Sequence, residues 1–324
     1  MSTTLQLGSR RGSSIKGWLA ENRAYVALAV LVLVGVAAVP DFATAGNVRA
    51  ILYQYSVIGL LSLGQLVVIL TAGIDLSQGA VLALSSVMLG VLLPHIGLFG
   101  AAIVAVLVAA LCGILSGTIV ARTVVPPFIV TLAVMGIARG LALLSADARP
   151  VPILDQAVTN FGASVILNVI PTSTVLWLLV AVVLAVVLHT RRSGRYLYAV
   201  GGTEEGARLS GVPVRASKLL AYVISAICVG IGGVLYSALL GVGNPTGGSG
   251  YELEAIAAVV IGGGSLFGGR GKVGATVAGV LILGCISSLL NLSGVQPFWQ
   301  GSIKGVVILL AVAVSQINLT GGKR

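Results

Sequence analysis

Charge is scarce in this chain: only 9% of its 324 residues are charged, against 57% hydrophobic. The apolar runs leave little room for a soluble domain. The longest polar stretch, about 190–218, is too short to bury a core of its own. Histidine is limited to His95 and His189, and cysteine to Cys112, Cys228 and Cys285. All three cysteines lie in apolar runs, with no spacing that suggests a disulfide or a zinc site. They read as small buried hydrophobes. No His/Cys cluster or Ser-His-Asp set is present, which argues against an intramembrane enzyme. A phosphate-binding loop is missing too. Such a loop needs G-x-x-x-x-G-K-[ST], so that backbone N–H groups and the lysine hold phosphates. The nearest approach, Gly271-Lys272, is followed by Val273 and has Leu266 where the first glycine belongs. The chain is expected to be no enzyme and to bind no metal or cofactor of its own.

What is present is a series of long apolar runs. A bilayer core about 30 Å thick needs roughly 20 apolar residues per helical span. Candidate spans fall at about 24–40, 50–71, 77–93, 98–120, 125–145, 172–190, 218–242, 253–267, 273–292 and 299–317. An all-α multi-pass membrane protein of about ten spans is predicted, or eight if 77–93 and 253–267 dip in and out. Lipid is then an obligatory partner. The predicted layout is a cytoplasmic segment 1–23, one membrane domain 24–317 with a cytoplasmic loop 191–217, and a tail 318–324. The basic run Arg10, Arg11, Lys16 and Arg23 before 24–40 could imitate a signal peptide. More spans follow instead of a cleavage site and a soluble domain, so it reads as a retained first helix.

The formal charge of +10 invites a nucleic-acid reading. The basic residues, however, sit in separate short loops with no interleaved aromatics, so nucleic acid is not an expected partner. Cytoplasmic retention of Lys and Arg explains them better. With the N-terminus inside, fifteen of the 19 basic residues fall in inside loops. Arg49, Arg139, Arg149 and Lys304 are the exceptions, at or near outer span ends. Both termini are therefore expected on the cytoplasmic side. On the same topology His95 and His189 lie at opposite faces.

The halves carry a weak internal likeness. Ile74-Asp75-Leu76 and Val125-Pro126-Pro127-Phe128 in one correspond to Tyr251-Glu252-Leu253 and Val295-Gln296-Pro297-Phe298 in the other. Internal repeats are common in transporters. The 44 glycines read mostly as sites of close helix approach.

The most informative polar segment is 203–213. Thr203 can N-cap a short helix. Glu204 and Glu205 place negative charge on its first turn, where the helix dipole favours it. Gly211 suits a left-handed stop, and Pro213 prevents continuation. A helix of about two turns is unstable alone. It is either docked against something or an ordinary solvated loop.

This loop resembles the coupling segment of ATP-binding cassette importer permeases, and more narrowly of ribose-type sugar permeases. Four further stretches agree: 71–77 (TAGIDLS); 127–132 (PFIVTL) with Ala138-Arg139-Gly140; 250–260 (GYELEAIAAVV); and 304–312 (KGVVILLAV). Glu254 stands where Asp is the commoner residue, and Gln78 is a mild variation. The likeness covers about 45–315. It implies a type II-like importer permease in a bacterial-type inner membrane. A cytoplasmic ATPase holding ATP and magnesium, an extracytoplasmic sugar-binding protein and a second permease copy, identical or paralogous, are the implied partners. The implied coupling residues are Thr203, Glu204, Glu205, Ala207, Arg208 and Gly211. Branched-chain amino acids or nucleosides are alternative cargoes on related folds. An ion-coupled secondary transporter would carry more ionisable residues at span centres.

Other polar and aromatic residues keep two readings each. Asp75, with Ser77, either caps the following helix or touches the pathway. Gln65 and Asn291 either face a passage or hydrogen-bond between helices. Phe128 and Phe298 are packing anchors or a gate. Arg139 and Lys304 snorkel to the interface or dock the binding protein.

Overall fold

The computed structural model describes residues 22–166, 168–296, 299–303, 305–306 and 309. The helices are α1 (Arg23–Ala38), α2 (Ala45–Leu70), α3 (Gln78–Arg122), α4 (Pro127–Ser145), α5 (Gln156–Ala163), α6 (Thr172–Thr190), α7 (Arg192–Gly202), α8 (Glu204–Leu209), α9 (Val214–Leu240), α10 (Tyr251–Ile261) and α11 (Val273–Leu292). Four two-residue strands form two small antiparallel pairs, β1 (Val151–Pro152) with β4 (Val242–Gly243) and β2 (Val165–Ile166) with β3 (Ile170–Pro171). The chain is an all-α multi-pass membrane protein. Among the described residues, α2, α3, α4, α6, α9 and α11 are long and apolar enough to cross a membrane, and α1 is a shorter apolar helix.

Helix α3 runs for 45 residues but is broken at Gly97, whose φ of 70° and ψ of 173° are not helical. Pro94 lies three residues earlier and weakens the ladder there. Glycine adopts that positive φ without the steric penalty other residues meet. The chain reverses at the break. Gly230 of α9 faces Val106 and Ala109, while Gly233, one turn on, faces Leu82 and Ser85. Both arms of α3 therefore pass the same stretch of α9. A Cβ on Gly113 would come within 2.6 Å of the Tyr222 carbonyl, so the absence of side chains sets how near α3 and α9 lie. Inside a bilayer such close packing replaces the hydrophobic drive between helices.

The separate segments 77–93 and 98–120 thus emerge as the two arms of α3. Segment 253–267 does not span. Its helix α10 has 11 residues and ends at Ile261, before Gly263 with φ 86°. At 1.5 Å per residue it covers about 16 Å, half the hydrocarbon thickness. Segment 299–317 falls mostly outside the described residues. The paired half-motifs also occupy unequal places: Asp75 sits in a non-helical link, whereas Glu252 lies in the first turn of α10. Pro297 and Phe298 lie outside the described residues.

Helix α2 is the central post. From Tyr55 to Leu70 every residue is buried. It is surrounded by α9, α10, α11 and α6. Trp177 of α6, only 1% exposed, packs directly on Gly59.

Candidate functional site

Two polar features of the bundle lie close to the C-terminal end of α2. The first is the link 71–77 between α2 and α3. It leaves α2 through Ala72, which has a φ of 60°. Asp75 follows and is 4% exposed. Its Oδ1 accepts from the Ser77 N–H at 3.0 Å and the Ser77 hydroxyl at 2.6 Å, and its Oδ2 accepts from Ser225 Oγ of α9 at 3.2 Å. Gln78 Nε2 donates to the same Ser225 oxygen and to the Leu61 carbonyl of α2. Gln65, fully buried on α2, lies beside Asp75; with its amide turned so that the nitrogen faces the Asp75 carbonyl, it donates to that carbonyl at 3.1 Å and accepts from the Asp75 N–H at 3.3 Å. On the other side, Thr131 Oγ1 of α4 accepts from the Leu76 N–H at 3.1 Å. Four helices therefore converge on one non-helical link. Backbone that leaves a helix at membrane depth must find such partners, because no water is available there. The bonds to Ser77 form a local turn at the start of α3, and the Ser225 bond adds a tie to α9.

The second feature is the α7–α8 segment at the same end of the bundle. Tyr198 of α7 donates to the Gly271 carbonyl at 2.9 Å. At the end of α7, Gly201 packs so tightly on α2 that a Cβ would lie 1.8 Å from the Leu70 carbonyl. That same carbonyl accepts from the Gly269 N–H at 3.1 Å. The segment is thus seated on the end of the central post. Thr203, extended at φ −153°, closes α7 and opens α8. It holds the N-cap position, but its side chain makes no capping hydrogen bond. The hydroxyl lies over Gly206 instead, where a Cβ would meet it at 2.4 Å.

Helix α8 is six residues long with its one buried side chain, Ala207, turned inward. Its C-terminus is closed by backbone bonds. The Val212 N–H reaches the Ala207 carbonyl, the Gly211 N–H reaches the Arg208 carbonyl, and Gly211 takes a φ of 77°. This left-handed stop satisfies carbonyls that a short helix leaves open. Glu204 pairs with Lys218 of α9 at 2.7 Å, and Glu205 pairs with Arg208. The Arg208 guanidinium, by hydrogen bond and charge, holds the Glu205 carboxyl below its ordinary range. Leu209 projects outward, 81% exposed. The result is a charge-paired knob with an exposed apolar tip.

Gln65, Asp75 and Ser77 are brought together; the remaining candidates are scattered. Phe128 is half-exposed in the first turn of α4. Asn291, near the end of α11, accepts from the Gln300 amide at 2.7 Å. Arg139 is half-buried, and its Nη1 donates to the Pro245 and Gly247 carbonyls at 2.7 and 3.0 Å. It staples the loop before α10. Phe298 and Lys304 lie outside the described residues. Sequence reading missed Ser225 and Thr131. Ser225 is one of three serines on α9, with nothing local to set it apart from Ser217 and Ser237, and Thr131 lies inside the stretch 127–132 with no local sign of its partner.

The family described as branched-chain amino acid transport system / permease component matches residues 47–312. The ribose import permease protein of Escherichia coli K12 is 40% identical over 318 residues, covering 96% of this chain and 98% of that protein. The D-allose transport system permease protein of the same strain is 38% identical, covering 90% of each. The fructose import permease protein of Rhizobium meliloti is 37% identical, covering 93% of this chain and 88% of its own length. No solved structure matches the chain. A buried central post, a pinned break at its end and a presented knob beside it are thus carried by a chain that belongs to this permease-component family.

Proposed function

We propose that the chain is the membrane-spanning subunit of an ATP-binding cassette importer for a monosaccharide of the ribose, allose or fructose kind. The cargo reading rests on relatives that are named for these sugars and align over 90% or more of this chain. The single observation that carries the mechanism is the α7–α8 knob, seated on the end of α2 through Gly201. Force applied to Leu209 and the paired charges of α8 is delivered to the central helix.

In this reading two copies enclose one passage. The knob faces the cytoplasm, as do both termini. A separate ATPase holds ATP and magnesium, and its closure moves α8. An extracytoplasmic binding protein delivers sugar at the opposite end. The two access states are populated according to which partner is engaged. Thr203, Glu204, Glu205, Ala207, Arg208 and Gly211 shape the coupling surface. Gln65, Asp75 and Ser77 hold the break through which α2 and α3 move together, and Phe128, Asn291 and Phe298 are candidates for the gate. Arg139 shapes the outer loop for the binding protein, with Lys304 near it in sequence-based topology.

The test is ATP hydrolysis by the reconstituted complex against a panel of sugar-loaded binding proteins. Stimulation by one loaded binding protein, dependent on this chain, supports the reading and names the sugar. Stimulation by an amino-acid-loaded or nucleoside-loaded protein redirects the cargo. Ion-gradient-driven uptake by this chain without any ATPase overturns the mechanism. Glu204→Lys and Glu205→Lys should impair assembly or coupling while sparing membrane insertion. Normal coupling in both variants removes α8 from the mechanism.

A further inference from the structure

At the end of the bundle away from α8 lies a groove of about 440 Å³ between the first turns of α2, the last turns of α9 and the start of α10. Its size falls within the usual range for small-molecule sites, about 300–1,000 Å³. Three tyrosines wall it: Tyr53, Tyr236 and Tyr251. Each is held by contacts of its own. Tyr53 donates its hydroxyl to the Gly162 carbonyl of α5. Tyr236 and Tyr251 meet edge to face, with ring centroids 6.2 Å apart and planes at 83°. The aromatic walls are therefore set before any ligand arrives.

The polar groups of the groove differ from those of the buried break. Arg49 and Gln54 line it and are exposed, and neither has a hydrogen-bond or ion-pair partner among the described residues. Gln54 sits nine residues into α2, about 13 Å along the helix axis. An open amide at that depth is disfavoured against lipid. The face it occupies therefore meets water or another molecule. No carboxylate lines the groove, so an ammonium group would find no counter-ion there.

We propose that this groove is a monosaccharide subsite on the permease itself. A sugar ring has an apolar C–H face and a rim of hydroxyls. The C–H face suits the negative face of a tyrosine ring. The hydroxyls suit a planar guanidinium with paired donors and an amide that both donates and accepts. Fixed aromatic walls with unpaired Arg49 and Gln54 supply both halves of that recognition. An amino-acid zwitterion finds a partner for its carboxylate only. This inference rests on the sugar-importer reading above and adds a site to it.

The test is cysteine accessibility in the permease–ATPase complex in proteoliposomes. Gly46→Cys places a reporter in the groove, where a Cβ meets nothing within 4 Å. The natural Cys112, Cys228 and Cys285 are buried and stay silent. Labelling by a membrane-impermeant thiosulfonate is timed with D-ribose, D-allose or D-fructose, and with glycine betaine at equal osmolarity. One of the sugars should slow labelling about threefold at twice its Kd, and the betaine should not. Adding Gln54→Ala or Arg49→Gln should abolish the protection. Labelling that no sugar slows overturns the subsite. So does an unreactive thiol, or one that forms a disulfide between two permease copies, because the face is then an interface between copies. ATP-driven uptake by the unsubstituted complex is measured in parallel. Uptake without protection defeats the subsite and leaves the importer standing. Protection without uptake of any sugar keeps the site and defeats the importer.

Discussion

Lys218 Nζ donates to Glu204 Oε2 at 2.7 Å, joining the short helix α8 to the start of α9 across 14 residues of sequence. Glu204→Lys sets two like charges at this joint. The stability change should be small, about 0.2–1 kcal/mol, because Glu204 is largely exposed. The loss of coupling between ATP hydrolysis and uptake should be several-fold. Combining it with Lys218→Glu reverses the pair and should restore coupling. The readout is the ratio of sugar transported to ATP hydrolysed, measured for all four combinations.

The neighbouring pair predicts a pH response. Arg208 lowers the Glu205 carboxyl below its ordinary 4.5. A lowered folded-state value means the pair's contribution is present above the unfolded value and fades as pH falls through the lowered one. Helix α8 should therefore keep this pair throughout the neutral range and lose it only in acid. The carbon-13 carboxyl shift of Glu205 should titrate below pH 4.5, and Arg208→Gln should move the midpoint upward.

Asp75 accepts three hydrogen bonds in a dry site, so what replaces it matters more than its loss of charge. Asp75→Asn keeps an acceptor for Ser77 and offers Ser225 a donor, and its effect should be modest. Asp75→Leu leaves the Ser77 N–H and its partners unsatisfied, at about 1–3 kcal/mol for each stranded group. The melting temperature in mild detergent should fall far more for the leucine variant. Equal falls would show that the link is not held by these bonds.

Gly59 of the central post packs directly against Trp177 of α6. A Cβ at Gly59 would lie 2.2 Å from the indole. Gly59→Ala should therefore push α6 from α2 and destabilise the subunit by about 1–3 kcal/mol. Trp177→Leu in the same chain should recover part of that loss, and a double-mutant cycle measures the coupling.

Much of the architecture was legible because it follows from local chemistry. The apolar run 172–190 is bounded by Pro171 and Arg191, and the helix is Thr172–Thr190. The run 273–292 begins after Lys272, and the helix is Val273–Leu292. The signals at 203–213 correctly placed a short helix before a left-handed Gly211: the helix is Glu204–Leu209 and Gly211 has a φ of 77°, since a left-handed stop is a property of the residue itself. Run 253–267 misled because mean hydropathy is blind to a glycine that ends a helix after 11 residues. The Thr203 side-chain cap also failed, since rotamer choice depends on the Gly206 surface beneath it.

Sequence alone determined that this chain lives in a membrane and where most of its helices lie. Those features arise from hydrocarbon thickness, chain geometry and the conformational limits of single residues. Only the tertiary structure decided which polar residues act together. Asp75 meets Ser225 across 150 residues, and Leu76 meets Thr131 across 55. Tyr53 and Gln54 join Tyr236 and Tyr251 at one groove only because α2, α9 and α10 meet there. No local pattern encodes such partners. They are selected by the packing of glycine-lined helices, which brings distant backbone close enough for a few hydroxyls, amides and rings to meet.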